Sequence, residues 1–115
     1  MSNMEAKQSL VLNVPVLTIY GKIDALTSGD LEVALNRLVD CSSLMAVVDM
    51  KGVDYISGSG LRVLVGAQNR ARKSQGDLVL VSLQPRVNEV FEITGLKSFF
   101  SIYPRLEEAL KGIKP

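Results

Sequence analysis

At 115 residues, 47% of them hydrophobic, the chain has the length of one domain, residues 1–115, with one core. Thirteen basic residues against twelve acidic ones leave a net charge of +1, and no Lys/Arg cluster is dense enough to track a phosphate backbone, so nucleic acid is not an expected partner. Histidine is absent and Cys41 stands alone, which excludes a His-based triad, a Cys/His zinc site and an internal disulfide.

The opening residues Met1-Ser2-Asn3-Met4-Glu5 lack the basic and apolar regions of a signal peptide, and no apolar stretch approaches the roughly 20 residues of a membrane span. A cytoplasmic protein that does not insert into membranes is the expectation. Residues 9–13 (SLVLN) and 16–20 (VLTIY) read as two strands joined by a tight turn at Val14-Pro15, since proline suits a turn better than a ladder. Gly21 ends the second strand. Thr27 and Asp30, three residues apart, resemble a capping box for a helix whose inner stripe is Leu31, Ala34, Leu35 and Leu38. Cys41 falls at the end of that helix or in the core.

Residues 44–48 (LMAVV) form an apolar run too short for a helix, bounded by Ser42-Ser43 and Lys51-Gly52. Apolar on both faces, it predicts a central strand covered on both sides. After Gly60 the period becomes helical: Leu61, Leu64 and Val65 share a stripe, while Arg62, Arg70, Arg72 and Lys73 lie on the other face or at the C-terminal end, where cations favour the helix dipole. Between strand and helix lies Ser57-Gly58-Ser59-Gly60. Its glycines permit unusual backbone angles, and the unpaired N–H groups opening the helix attract an anion or a phosphorylated side chain. A serine that simply caps the helix fits the same pattern.

Ser74-Gln75-Gly76 then breaks the helix before a second apolar strand at residues 78–81 (LVLV). Pro85 suits the first turn of a helix with Val87, Val90, Phe91 and Thr94 on one face, and Gly95 is its left-handed terminator. A short strand near Ser101 and a last helix from Pro104, with Leu106, Ala109, Leu110 and Ile113 inward, complete the chain. Phe99 and Phe100 point to opposite sides of an extended segment, leaving one partly exposed. Met45 and Met50 read as core. The sum is an α/β domain with a mixed sheet, with the strands at 44–48 and 78–81 central.

Residues 49–64, DMKGVDYISGSGLRVL, resemble the D-x-x-G-V-x-x-[IM]-[DS]-S-[SA]-G-L-x-x-L signature of STAS domains, the anti-sigma-factor antagonists. Gly21-Lys22-Ile23-Asp24-Ala25 resembles that family's G-x-[IL]-D-A turn, and Ile93-Thr94-Gly95-Leu96 with Phe99-Phe100-Ser101-Ile102-Tyr103 resembles its late T-G-L…F-x-I-Y segment. Together these span roughly residues 4–110. The resemblance implies a small mixed β-sheet with helices packed mainly on one face, an exposed loop after the third strand, and the Asp24 loop nearby. It also implies a non-enzymatic partner switch: an anti-sigma factor Ser/Thr kinase binds the domain, phosphorylates it with ATP and is released, and a metal-dependent Ser/Thr phosphatase resets the cycle. No cofactor is implied.

The family's regulatory serine is the second residue of its loop stretch, and Gly58 occupies that position here. The phosphorylation candidates are therefore Ser59 and Ser57, with Ser59 favoured at the start of the helix. The expected partner-binding set is Asp24, Ser57, Gly58, Ser59 and Gly60. An enzyme is disfavoured, because no Ser-Lys or Cys-His pair is present to activate either serine. The alternative is an unswitched STAS scaffold, such as the cytoplasmic subunit of a lipid transporter or of a stress-signalling complex.

Overall fold

The structure, a computed structural model, describes residues 4–42 and 44–112. The expectations on Met1, Ser2, Asn3, Ser43 and Ile113 lie outside the described residues. Five strands form one mixed sheet in the order β1-β2-β3-β4-β5: β1 (Met4–Val11), β2 (Val14–Ile23), β3 (Met45–Ile56), β4 (Asp77–Val81) and β5 (Ser101–Tyr103). The first pair is antiparallel and the other three are parallel. Helices α1 (Ser28–Cys41), α2 (Gly58–Lys73) and α3 (Pro85–Thr94) fill the parallel crossovers, and α4 (Leu106–Gly112) follows β5.

The opening hairpin differs from its sequence reading. Its turn is Leu12-Asn13, both with left-handed φ (51° and 66°), as a two-residue loop between right-twisted strands requires. Pro15 lies inside β2, opposite Leu10. It is tolerated there because Val11 and Val14 close the loop, so the next pair directs its backbone nitrogens away from each other, and pairing with β3 begins only at Val16. Strand β3 likewise does not stop at Lys51-Gly52. A side chain at Gly52 would collide with the Tyr20 ring and lie 2.9 Å from the Ile19 carbonyl oxygen, so glycine lets the continuing strand lie close beside β2 where Tyr20 pairs with it. Leu44 falls just outside β3, is exposed, and accepts a backbone hydrogen bond from Asp77.

The main core lies on one face of the sheet. Leu17, Ile19 and Ile23 of β2, Val48, Met50 and Val53 of β3, and Leu78 and Leu80 of β4 meet Leu31, Leu35 and Leu38 of α1, Leu64 of α2 and Phe91 of α3. On the other face Val16, Val47, Val79 and Val81 are covered by Ala109 and Leu106 of α4. Three helices thus share one face and one short helix takes the other. β3 is the middle strand, and β4 is interior because the three-residue β5 shields its far side. The local signals of α3 hold as read: Pro85 opens the helix and Gly95, at φ 76°, ends it. Cys41 is the exposed last residue of α1. Met50 is fully buried, whereas Met45 only packs against the second cluster.

One buried polar side chain joins three elements. Gln68 sits on the same stripe of α2 as Leu61 and Leu64, donates from Nε2 to Asp77 Oδ1 (2.9 Å) and to the Phe99 carbonyl (3.3 Å), and accepts from Leu78 N–H (2.7 Å). Phe99 itself is half-buried, with the Arg72 guanidinium 4.6 Å from its ring centre and an edge-on contact to Phe100. The basic end of α2 is therefore partly committed: Arg72 to Phe99, and Arg70 to Asp40 of α1 at 2.8 Å.

Gly66, in the middle of α2, has no atom outside its local helix backbone within 4 Å of where a Cβ would stand. Glycine inside a helix costs about 0.5–1 kcal/mol against alanine. Gly66→Ala should therefore raise the unfolding free energy by about that much in urea titration; a destabilised variant would mean that the backbone there departs from ordinary helix.

Candidate functional site

Two turns meet at one end of the sheet because β2 and β3 run parallel and finish together, Ile23 opposite Ile56. Asp24 follows the first strand and Ser57 the second. The turns are tied directly, as Ser57 N–H donates to the Ile23 carbonyl at 2.8 Å.

Asp24 builds its own turn. Its Oδ1 accepts from the backbone N–H of Leu26 (2.9 Å) and of Thr27 (3.1 Å), and its carbonyl accepts from Ser28 N–H (2.9 Å). Thr27 is buried and does not form the expected capping box: its Oγ1 accepts from Asp24 N–H and donates to the Lys22 carbonyl, both at 2.9 Å, and makes no cap bond to α1. The physical reason is that Thr27 is itself near-helical (φ −103°, ψ −10°), whereas a cap of that kind needs an extended residue. Asp24, one turn upstream, organises the helix start instead. The spacing Asp24-x-x-Thr27 carries the signal. Asp24 Oδ2 makes no hydrogen bond among the described residues, and Leu26, at the tip, is 89% exposed. The sequence reading missed Leu26, since a lone leucine in a turn has no periodic signature.

The Ser57-to-Gly60 stretch is more helical than a loop. Helix α2 already begins at Gly58, and Ser57 is its extended N-cap (φ −92°, ψ 173°), its Oγ accepting from Gly60 N–H at 3.3 Å. Ser57 Oγ also lies 2.8 Å from Ser59 Oγ. Both serines are half-buried. Gly58 and Gly60 differ sharply: a Cβ at Gly58 would meet nothing within 4 Å, whereas one at Gly60 would run into Ile23 Cγ2 and stand 3.0 Å from Ile56 Cγ1. Gly60 is thus a packing residue that lets α2 lie close on β2 and β3, and Gly58 is an open surface position. The structure brings Asp24, Ser57, Gly58 and Ser59 to one end of the domain, with Gly60 beneath them.

Among the described residues no group of three or more His, Cys, Asp or Glu side chains could hold a metal ion. No helix among the described residues is long and apolar enough to cross a membrane.

The profile of the STAS domain family matches residues 4–109. BtrV of Bordetella bronchiseptica, which carries the name of an anti-sigma factor antagonist, is 36% identical over 99 residues, covering 86% of this chain and 85% of its own. The anti-sigma-B factor antagonist of Bacillus subtilis is 31% identical over 105 residues, 91% of this chain and 94% of that one. The crystal structure of an anti-sigma factor antagonist from Mycobacterium paratuberculosis superposes with a TM-score of 0.88 at 27% identity, covering 97% of this chain and 95% of the other.

Proposed function

The chain belongs to the STAS domain family, as a non-enzymatic homologue of anti-sigma factor antagonists, and from that premise we propose that it works in the cytoplasm by binding an anti-sigma factor kinase. The binding surface of this reading is the end of the sheet where the Asp24 turn and the first turn of α2 lie side by side. The single observation that carries it is the open surface at Gly58 on a helix start tied to the Asp24 turn by the bond from Ser57 N–H to the Ile23 carbonyl, in a domain whose relatives are named for anti-sigma factor antagonism.

In the switched form of this reading the kinase transfers phosphate to Ser59 and a metal-dependent phosphatase removes it. Ser59 is favoured over Ser57 on physical grounds. Phosphate on Ser57 would destroy the cap that holds Gly60 N–H, whereas phosphate on Ser59 would give up only the bond between the two hydroxyls and would gain the positive end of α2. A charge of about −1.5 to −2 there would act against a partner carboxylate or apolar contact and release it.

The test uses the purified anti-sigma factor kinase encoded in the same genome. Gly58→Glu should weaken its binding at least about tenfold while the melting temperature stays near that of the wild type, because the side chain enters open space; unchanged affinity would remove this surface from the reading. Incubation with ATP followed by peptide mass spectrometry should find phosphate on Ser59. Gly58→Ser, which returns a hydroxyl to the position the family resemblance marks, should be modified faster, at the introduced group. With Ser57 and Ser59 both unmodified, the function becomes that of an unswitched STAS subunit, in a lipid transporter or a stress-signalling complex, a reading that the mutual engagement of the two hydroxyls favours.

A further inference from the structure

A groove of about 480 Å³ runs between α1 and α2, beginning at Arg62, one helical turn beyond Gly58, and extending along α2 to Lys73. Leu35 and Ala67 form its floor, and Arg62, Gly66 and Lys73 line its α2 wall. Two features of that wall are open to a partner. Gly66 carries the conformational cost of glycine inside a helix, yet outside the local backbone of α2 no atom comes near enough to need the missing side chain. Arg62 and Lys73 make no ion pair among the described residues, whereas their neighbour Arg70 is neutralised by Asp40. Glu32 of α1 is the one carboxylate among the lining residues, and Asp40 is already engaged, so the groove carries net positive charge.

We propose that this groove is a second docking surface for the anti-sigma factor partner, and that its occupant is an acidic helix whose backbone closes on Gly66. The inference rests on the partner-binding reading above and extends it to a surface that none of Asp24, Ser57, Gly58, Ser59 or Gly60 belongs to. Lys73 follows Arg62 by eleven residues, about 16 Å along α2 at about 1.5 Å per residue. A partner helix of about three turns spans that length, with a carboxylate near each end to meet Arg62 and Lys73. A glycine one turn in from Arg62 gives the close backbone approach that such a helix needs against α2. An electropositive groove that holds an acidic helix also speeds encounter and makes it sensitive to salt.

The experiment titrates the full chain with the purified anti-sigma factor kinase of the same genome at low and high salt. The variants are Gly66→Gln, R62E/K73E and, as reference for the other surface, Gly58→Glu. Gly66→Gln and R62E/K73E should each weaken binding about tenfold or more without lowering the melting temperature, and R62E/K73E should flatten the salt dependence. Should the charge reversal lower the melting temperature, R62Q/K73Q takes its place in the same titration. Affinity within about twofold of the wild type for either the glycine or the charge variant overturns the groove. If Gly58→Glu still weakens binding in that case, the partner reading survives without the groove; a kinase that fails to bind the wild type overturns both.

Discussion

Gly60→Val should destabilise the domain by about 3 kcal/mol, at the upper end of what overpacking costs. The added Cβ alone would enter the space of Ile23 Cγ2 and press on Ile56 Cγ1 at 3.0 Å. Those two isoleucines are buried at the ends of β2 and β3, paired with each other, and cannot move aside without parting the strands. The other course open to the structure is to lift the first turn of α2, which would strain the bond from Ser57 N–H to the Ile23 carbonyl and misplace the proposed partner surface. In thermal unfolding the loss corresponds to roughly 10 °C or more. Gly58→Ala, two residues away, is the internal contrast: its Cβ meets nothing, and stability should change by less than about 0.5 kcal/mol. Equal effects at the two positions would mean that α2 does not pack as described.

Gln68→Leu should cost about 2–3 kcal/mol although it places an apolar side chain in an apolar setting. The two acceptors it abandons keep other donors: Phe99 O retains Arg72, and Asp77 retains Ser101 through Oδ2. The Leu78 N–H does not. Leu78 is the first buried residue of β4, the partner of its N–H is Gln68 Oε1, and a buried donor left without an acceptor carries its whole desolvation cost. Gln68→Glu should be worse, because it removes the donor to Asp77 and sets a second carboxylate against it. Urea unfolding of both variants checks this. A Gln68→Leu protein as stable as the wild type would show that the start of β4 satisfies itself in another way.

How far the sequence reaches differs from element to element, and the differences are physical. Helix α3 is legible because Pro85 and Gly95 act through their own backbone angles, which depend on nothing distant. The strands at β3 and β4 are legible because both faces are apolar and each run is short. The reading fails where the deciding contact comes from elsewhere in the chain. Pro15 reads as a turn, yet it sits in a strand, since what matters is which neighbour its nitrogen faces. Gly52 reads as a stop but continues the strand beside Tyr20, whose ring takes the space of the missing side chain. Thr27 stands at the N-cap position of α1 as read, but its hydroxyl is taken by the Lys22 carbonyl and by Asp24 in place of a capping box.

The candidate site divides in the same way. The order of residues alone establishes the family resemblance, the strand-to-helix junction at Ser57 and the glycine where that family carries its regulatory serine. Tertiary structure decides that Asp24 and Ser57 are neighbours, because only the parallel pairing of β2 with β3 brings Ile23 beside Ile56. It also separates Gly58 from Gly60, two glycines that are equivalent on paper: the side chain of Ile23 reaches one and leaves the other open. Spacing along a chain encodes local geometry, whereas the volume available to a missing side chain is set by whatever packs against it.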